Sequence, residues 1–496
     1  MTDDIRISGV GAWIVLITAL LVLVLVVGIA LMSLVIVPRN RRPQSALAWL
    51  LLIYTLPLVG FLLFLMFGSR RLPQRRREQQ DEISRYILDT TEGMERVSTS
   101  ASWPPWLEPI VELNRNLGAM PLVGGNVARL YTGYSESIGA MTAAVRDAHR
   151  AVHVEFYIMS VDDETEPFFA ALGEAVARGV AVRVLYDHVA SLRVRGYRRM
   201  QRRLDAIGAQ HHPTLPVRLF RGEWQRPDLR NHRKFLIVDG TVGFTGSQNL
   251  IDRGYQRRRR HDGSRLEWKE LMVRFDGPIV AGMEALFATD WYSETDELLL
   301  RETTIPPEID PEQGLDAQVV PSGPAFEGEN NLRLFNSLVY AAQEQVQICS
   351  PYFVPDESML YAITTAAQSG LDVQLFVSEV GDQTLVFHAQ RSYYEELLRA
   401  GVRIWLYNSP TVLHAKHFTI DDQVAIIGSS NMDMRSFSLN LEVSVMVRGA
   451  SIVRELRTIE QSYRENSREL TLEQWVKRPP HMRIFDDLAR VTATVQ

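Results

Sequence analysis

The sequence predicts two tandem α/β domains related by a pseudo-twofold axis and preceded by an N-terminal transmembrane hairpin. Three observations predict this fold class: two long apolar segments at the start of the chain, a helix and strand pattern that occurs twice, and a short polar motif at the same point of each repeat. The chain has 496 residues. At roughly 100–200 residues per domain, this length accommodates two domains and an anchor.

The first 70 residues are much more apolar than the rest. No residue of Ile7–Val37 is charged, and about 20 apolar residues suffice for a helix to cross a bilayer. A second apolar segment covers Ser45–Phe67 and is interrupted by Pro57 and Gly60. The competing interpretations are a cleaved signal peptide for the first segment and a buried or re-entrant helix for the second.

Arginines flank the second apolar segment on both sides. In a spanning hairpin the two clusters lie on opposite sides of the membrane, so the positive-inside rule is violated at one of them. The larger cluster predicts that the C-terminal bulk lies in the cytoplasm. The clusters are Arg39, Arg41 and Arg42, and then Arg70, Arg71, Arg75, Arg76 and Arg77.

The rest of the chain alternates predicted helices with short apolar strands, which predicts α/β layers with a largely parallel core. A segment rich in proline and glycine, Val319–Gly328, separates the two repeats. The expected division is a transmembrane hairpin at 1–69, a basic stalk and linker at 70–125, a first domain at 126–315, a second at 316–478 and a C-terminal tail at 479–496.

The strongest feature is a duplicated motif, H-x-K-x4-D, followed at a constant interval by G-S-x-N. Internal self-similarity of this kind is a primary signal in a sequence. The first copy contains His232, Lys234, Asp239, Ser247 and Asn249, and the second contains His414, Lys416, Asp421, Ser429 and Asn431.

We interpret each copy as a strand, a tight turn and a returning strand. Residues two apart face the same side of a strand, so His232 and Lys234 point together, as do their counterparts in the second copy. Asp239 has the opposite parity and ends the strand. We therefore expect both aspartates of the candidate catalytic set to have a supporting role.

These residue types suit a tetrahedral anion such as a phosphate. Lysines and Ser/Asn donors neutralise the anion, an unprotonated imidazole can attack phosphorus, and a protonated one can release the leaving alcohol. Two halves that face each other would bring both histidines to one site. We expect carboxylates that hold the histidine tautomers downstream of each motif: Glu442 in the second half and Glu270 in the first, with Glu267 as the alternative.

The two motifs, the apolar hairpin and the segment Gly428–Phe437 resemble the phospholipase D superfamily, which is defined by paired HKD motifs, and within it the bacterial cardiolipin synthases. The resemblance covers nearly the whole chain. It departs at Met434, where relatives often have proline, and at the run Arg257–Arg260.

The resemblance implies two phospholipase D-like α/β sandwich domains, a phosphohistidine intermediate and no metal or organic cofactor. It implies that His232 is the nucleophile and His414 the general acid. The implied reaction joins two phosphatidylglycerol molecules into cardiolipin and glycerol. It also implies a multi-pass protein of the bacterial inner membrane with cytoplasmic catalytic domains.

Other functions remain open at this stage: a hydrolytic phospholipase D, an HKD nuclease suggested by the arginine clusters, and a non-catalytic lipid-binding scaffold. The net charge of -6 argues against a general nucleic-acid binder.

Cys349 is the single cysteine, which excludes an internal disulfide and a Cys-based zinc site. The basic stretch Arg193–Arg203 either meets anionic lipid or forms a solvated helix face. Tyr352 and Phe353 either line an acyl channel or pack in the core.

Overall fold

The structure is a computed structural model that describes residues 2–39, 41, 43–69, 71–91, 103–218, 226–255, 265–299, 314–326 and 328–491. It divides into two compact units, Met1–Arg71 and Leu72–Gln496. Three parts of the predictions lie outside the described residues: Arg42, Arg70 and the run Arg257–Arg260.

The first unit consists of three helices: α1 (Thr2–Ile36), α2 (Pro43–Thr55) and α3 (Pro57–Phe67). Within α1, the 24 residues Trp13–Ile36 have a mean hydropathy of 3.3 and are long enough to cross a membrane. The three helices pack together through a small apolar cluster that includes Ile29 and Phe64.

The second predicted span is two shorter helices. Leu56, with φ −133° and ψ 74°, interrupts the helix because it precedes Pro57, which disfavours helical geometry before it and has no N–H to donate. Of the described residues, only those of α1 form an apolar helix long enough to span a bilayer. The structure therefore has one helix that is long enough to cross a bilayer, followed by two shorter helices.

The second unit begins with α4 (Gln74–Thr90) and α5 (Leu107–Gly118) and continues as two repeats, here called the first and second halves. The first half contains strands β1 (Leu122–Tyr131), β2 (Ala151–Phe156), β3 (Ala181–Asp187), β4 (Gln210–Thr214), β5 (Arg230–Asn231), β6 (Lys234–Val238), β7 (Val242–Gly246), β8 (Glu267–Lys269) and β9 (Met272–Asp276) and helices α6 (Tyr134–Arg146), α7 (Glu166–Ala177), α8 (His188–Leu192), α9 (Tyr197–Ile207) and α10 (Ile279–Thr295).

The second half repeats this order, with two short strands and a short helix inserted within it and further elements at its end. Its strands are β10 (Leu315–Ser322), β11 (Gln345–Cys349), β12 (Phe353–Val354), β13 (Asp372–Ser378), β14 (Arg403–Tyr407), β15 (Thr411–Leu413), β16 (His417–Ile420), β17 (Val424–Gly428), β18 (Met432–Asp433), β19 (Asn440–Arg448) and β20 (Ser467–Leu470), and its helices are α11 (Asn330–Ala341), α12 (Glu357–Gln368), α13 (Thr384–Ser392), α14 (Tyr394–Ala400), α15 (Met434–Ser438), α16 (Ala450–Glu465), α17 (Leu472–Val476) and α18 (Pro480–Val491).

One continuous sheet joins the two halves. Its strand order is β20-β14-β13-β11-β16-β17-β19-β10-β1-β9-β7-β6-β2-β3-β4, so the two halves have matching orders on either side of the antiparallel β1–β10 pair. This is the predicted pseudo-twofold arrangement. Helices from both halves bury the faces of the sheet in three large apolar clusters.

The predicted largely parallel core is wrong. Along the main strand order, β2-β3-β4 and β11-β13-β14 are parallel, whereas β6, β7 and β9 and their counterparts are antiparallel. One reason is the short turn at 239–241, since a three-residue connection can join only antiparallel strands.

Two further segments differ in detail from the predictions. In α9, Arg199 and Arg203 lie 3.5 and 3.1 Å from Glu166, which favours the solvated helix face over a lipid contact for these two side chains.

The expected C-terminal tail includes α18. Its buried Asp486 pairs with His388 of α13 at 2.7 Å, so this segment packs on the second half.

Candidate active site

Each motif histidine is held by a strand of the opposite half. The short strand β5 pairs with the start of β19, and the backbone N–H of His232 donates to Leu441 O at 2.8 Å. In the same way β15 pairs with β8, and the N–H of His414 donates to Lys269 O at 2.7 Å. Because Glu442 follows Leu441 and Glu270 follows Lys269, each histidine lies beside the other half's glutamate.

The side chains pair across the two halves accordingly. His232 Nδ1 lies 2.9 and 3.0 Å from the carboxylate oxygens of Glu442, and His414 Nδ1 lies 2.8 and 2.9 Å from those of Glu270. The downstream glutamates thus contact the histidines, but the glutamate of one motif serves the histidine of the other. Glu267 is exposed in β8, opposite Thr411.

The serine of each G-S-x-N segment holds a glutamate. Ser247 Oγ donates to Glu270 at 2.5 Å, and Ser429 Oγ donates to Glu442 at 2.5 Å. The preceding glycine makes this approach possible, since a Cβ on Gly246 would lie 2.3 Å from Leu271 O. The predicted serine donors therefore act on the carboxylates that orient the imidazoles.

The asparagines of these segments contact the surrounding loops. Asn249 Oδ1 accepts from the N–H of Ile158 at 3.3 Å, at the end of β2. The N–H of Asn431 donates to Ser436 Oγ at 3.1 Å, and its buried Oδ1 has no hydrogen-bond partner among the described residues.

Both motif lysines are buried beside their histidines. Lys416 Nζ lies 3.1 Å from His414 Nε2 and 2.8 Å from His414 O. Lys234 Nζ donates to His232 O at 2.6 Å and lies 5.3 Å above the ring of Tyr157. Burial lowers the pKa of Lys234 to about 7 and that of Lys416 to about 8.

The resting site favours neutral imidazoles. Burial lowers the pKa of His232 to about 4, against the opposing effect of Glu442, and it also lowers the pKa of His414. Burial alone would raise the pKa of Glu442, but the charge and hydrogen bond of His232 and the nearby Lys234 hold it below its usual range. A bound anion would raise the pKa of either imidazole, because a negative charge favours the protonated ring.

The two imidazoles differ in their surroundings. Glu442 also accepts from Ser436 Oγ at 2.8 Å and from Asn440 at 3.4 Å. Lys416 occupies the Nε2 side of His414, whereas among the described residues no hydrogen bond reaches Nε2 of His232. His232 therefore has the more firmly held carboxylate and the more open nitrogen.

The two motif aspartates lie at the far ends of their strands, about 16 Å along the backbone from the lysine of the same copy at 3.3 Å per residue. Both have positive φ, 54° for Asp239 and 49° for Asp421. Each carboxylate accepts three backbone N–H bonds of 2.7–3.1 Å, so both residues position the fold and do not touch the histidines. The donors are His149, Arg150 and Ala151 for Asp239, and Gln343, Glu344 and Gln345 for Asp421.

Two tyrosines complete the site, and the first of them is not among the residues predicted from the sequence. The ring of Tyr157 lies edge-on to His232 with a centroid separation of 4.7 Å, and Tyr352 lies edge-on to His414 at 6.2 Å. A tyrosine just after the strand in both EFYIM and SPYF was the signal available. Phe353 is fully buried in the apolar core, as in the core-packing alternative.

The described residues contain no group of three or more His, Cys, Asp or Glu side chains arranged to hold a metal ion.

Comparison with known proteins places this geometry in a family. The family model described as "Cardiolipin synthase, PLD-like domain" matches residues 141–291 and 336–463, and the model described as "Phospholipase_D-nuclease N-terminal" matches residues 24–69. The chain belongs to the cardiolipin synthase family of phospholipase D-like proteins. The predicted superfamily resemblance is thereby confirmed.

Individual members of the cardiolipin synthase family match over most of their length. Cardiolipin synthase A of Proteus mirabilis is 33% identical over 460 residues, which cover 90% of this chain and 92% of the relative. The cardiolipin synthase of Geobacillus kaustophilus is 33% identical over 463 residues, which cover 92% of this chain and 90% of the relative.

Among solved structures, phosphatidylserine synthase of Haemophilus influenzae superposes with a TM-score of 0.56 at 12% identity, covering 78% of this chain and 98% of that one. At this identity the likeness shows the fold alone.

Replacement of Asp421 by alanine should lower the free energy of unfolding by about 2–4 kcal/mol, because three backbone amides lose a charged acceptor and alanine tolerates positive φ less well than aspartate does. Denaturant unfolding of the detergent-solubilised protein measures this. The matched control is Asp422→Ala, since the Asp422 side chain is 67% exposed. It should change stability by less than about 0.5 kcal/mol, and equal effects would contradict the anchoring role of Asp421.

Proposed function

We propose that this protein is a membrane-bound phosphatidyltransferase that makes cardiolipin and glycerol from two phosphatidylglycerol molecules through a phosphohistidine intermediate. The observation that carries the proposal is the crossed pairing of His232 with Glu442 and of His414 with Glu270. Each carboxylate holds a proton on Nδ1, which leaves Nε2 as the reactive nitrogen of each ring. The names of the family members support the substrate class.

In the first step, His232 Nε2 attacks the donor phosphorus. The N–P bond forms as the P–O bond to the headgroup glycerol breaks, and His414 gives its proton to the departing oxygen. Lys234 and Lys416 offset the charge of the phosphate oxygens. The open Nε2 of His232 and the additional bonds to Glu442 support its assignment as nucleophile.

In the second step, a hydroxyl of the second phosphatidylglycerol attacks the same phosphorus. Its proton passes to His414, the new P–O bond forms, and the P–N bond breaks to release His232. One phosphodiester replaces another, so the reaction needs no energy source. Because His232 and His414 are only 7% and 4% exposed, the site supports transfer to a lipid hydroxyl over transfer to water.

The membrane is part of the proposal. The spanning helix Trp13–Ile36 supports a bacterial membrane protein, in which donor and acceptor lipids reach the site at high local concentration. The multi-pass arrangement, the cytoplasmic location of the catalytic halves and the domain boundaries predicted from the sequence belong to the proposal and need topology mapping.

The His232→Ala variant should lose at least about 1,000-fold in turnover, because no other group can form the covalent intermediate. The assay incubates the full-length protein with headgroup-labelled phosphatidylglycerol in proteoliposomes and measures free glycerol, cardiolipin and phosphatidic acid. His149→Ala, at an exposed histidine, is the matched control and should retain activity. Phosphatidic acid as the main product of the unmodified protein would favour hydrolysis, and full turnover without His232 would rule out that nucleophile.

The crossed pairing predicts different behaviour for two similar variants. Glu442→Gln misorients the nucleophile and should remain inactive on any leaving group, whereas Glu270→Gln misorients the acid. A phosphodiester with a p-nitrophenol leaving group needs little acid catalysis, so Glu270→Gln should release a burst of p-nitrophenol and Glu442→Gln should not. Stopped-flow absorbance measures the burst. The opposite result would mean that each glutamate serves the histidine of its own half.

The pKa values predict a bell-shaped dependence of kcat/KM on pH. Attack needs a neutral His232, so activity should fall as pH decreases through about 4. Proton donation needs a protonated His414, whose pKa burial lowers, and charge neutralisation needs protonated lysines. Activity should therefore also fall as pH rises, first as His414 loses its proton and again through about 7 to 8. Initial rates between pH 3.5 and 10, with separate stability controls, test this. A rate that stays constant up to pH 10 would contradict the role of the lysine charges.

A further inference from the structure

The C-terminal helix α18 has its polar and apolar sides reversed. A surface helix of a globular protein normally buries its apolar stripe and exposes its charged residues. In α18 the side that packs on the second half contains Asp486, which is only 1% exposed. The opposite side is an exposed apolar stripe at helical spacing, here called the outer face of α18, which consists of Ile484, Phe485, Leu488 and Val491.

Interactions of the buried carboxylate fix this orientation of the helix. Asp486 lies 2.7 Å from His388 and 3.4 Å from Arg391, both on α13, and 2.5 Å from Arg478. Rotation of α18 to bury the outer face would separate a buried carboxylate from two guanidinium groups and an imidazole, which is strongly unfavourable. The exposure of the outer face is therefore a stable feature of the fold.

Further exposed apolar side chains lie on the helices that follow equivalent strands of the two halves. In the second half, α13 follows β13 and exposes Leu385 near its start. In the first half, α8 follows β3 and exposes its last residue, Leu192. Arg193 and Arg195, just beyond α8, are exposed as well. Exposed apolar side chains close to arginines suit a surface of anionic lipid.

Both groups of exposed side chains lie close to the active site. Gln390 of α13 accepts from the N–H of Phe353 at 2.9 Å, and Phe353 follows the tyrosine that lies edge-on to His414. In the first half, burial raises the pKa of Tyr157 to about 12, and the charge of Arg193 is among those that oppose this rise. Arg193 is therefore within electrostatic reach of the ring that contacts the other motif histidine.

We propose that the outer face of α18 lies in the lipid–water interface of the membrane, close to the active site. The chain has a helix, Trp13–Ile36, that is long enough to cross that membrane. An amphipathic helix at such an interface buries its apolar side about 5–10 Å deep, at the boundary between headgroups and acyl chains. The outer face of α18 supplies the apolar side that this arrangement requires.

A second copy of the chain fits the outer face less well than lipid does. A stable protein–protein interface uses roughly 20–30 residues from each partner. The outer face has four apolar side chains, all on one helix. A lipid surface needs neither a large area nor a complementary shape, because each apolar side chain enters the acyl region independently.

The contact has a consequence for the reaction. One spanning helix holds the chain at the bilayer but does not by itself determine which side of the second unit meets the lipids. Since Asp486 ties α18 to α13, and Gln390 ties α13 to the loop beside His414, contact through α18 keeps this side of the site turned toward the headgroups. Lipid substrates arrive from that layer.

Fluorescence quenching tests the position of α18 in the full-length protein. Cys349 is the single cysteine and is buried, so bimane attaches selectively to Leu488→Cys or Ile484→Cys, one turn apart on the outer face. Each labelled variant is reconstituted into bilayers of phosphatidylcholine and phosphatidylglycerol. Phosphatidylcholine with brominated acyl chains should lower the fluorescence of both labels by at least about twofold, and aqueous iodide should have little effect.

The matched control is Thr458→Cys, at an exposed position of α16. The neighbours Ile426 and Ile427 of β17 point to opposite faces of the sheet, and they belong to the apolar clusters that include α18 and α16 respectively. α16 therefore packs on the opposite face from α18. The label at Thr458→Cys should be quenched by iodide and not by brominated lipid.

Three results would overturn the inference. Iodide quenching at the outer face would mean that the face is solvated, and protection from both quenchers would mean that protein covers it, a second copy included. Equal lipid quenching of the α16 label would mean that the effect is not specific to α18. Thermal unfolding checks each variant, and if one outer-face variant does not fold, the other decides. The measurement reports position and not turnover, so its failure would leave the proposed reaction untouched.

Discussion

The site depends on two buried imidazole–carboxylate hydrogen bonds that cross between the halves. His232 is bonded to Glu442 and His414 to Glu270, and strand pairs β5–β19 and β15–β8 set these contacts through the backbone. Neither half alone contains an oriented histidine. The continuous sheet through β1 and β10 keeps the two halves in one register, so the catalytic geometry is a property of the whole second unit.

Burial gives these groups their reactivity, but it also costs free energy because it destabilises their charged forms. The same loss of solvation that lowers the pKa of both histidines lowers the pKa of Lys234 and Lys416. The two glutamates offset part of this cost, and an anionic phosphodiester between the lysines would offset more. The site is thus better balanced electrostatically with its lipid bound than without it.

Duplication by itself would produce two equivalent histidines, whereas a nucleophile and an acid must differ. Part of the difference comes from residues outside the motif, since Ser436 and Asn440 add hydrogen bonds to Glu442. A symmetric scaffold therefore supports two distinct chemical roles because single side chains around it are not symmetric.

The sequence by itself determined the duplicated motif, the pairing of His232 with Lys234 on one face, the apolar first helix and the supporting role of Asp239, because strand periodicity and composition are local properties. It could not predict that the strands around the two motifs, including the β1–β10 pair that joins the halves, are antiparallel. It also could not predict which histidine each glutamate meets. Glu442 lies 28 positions from His414 and 210 from His232, yet it bonds the latter. Only the tertiary structure decided this partnership. The strand pairs β5–β19 and β15–β8 connect the two halves and so bring together residues that are far apart in the sequence.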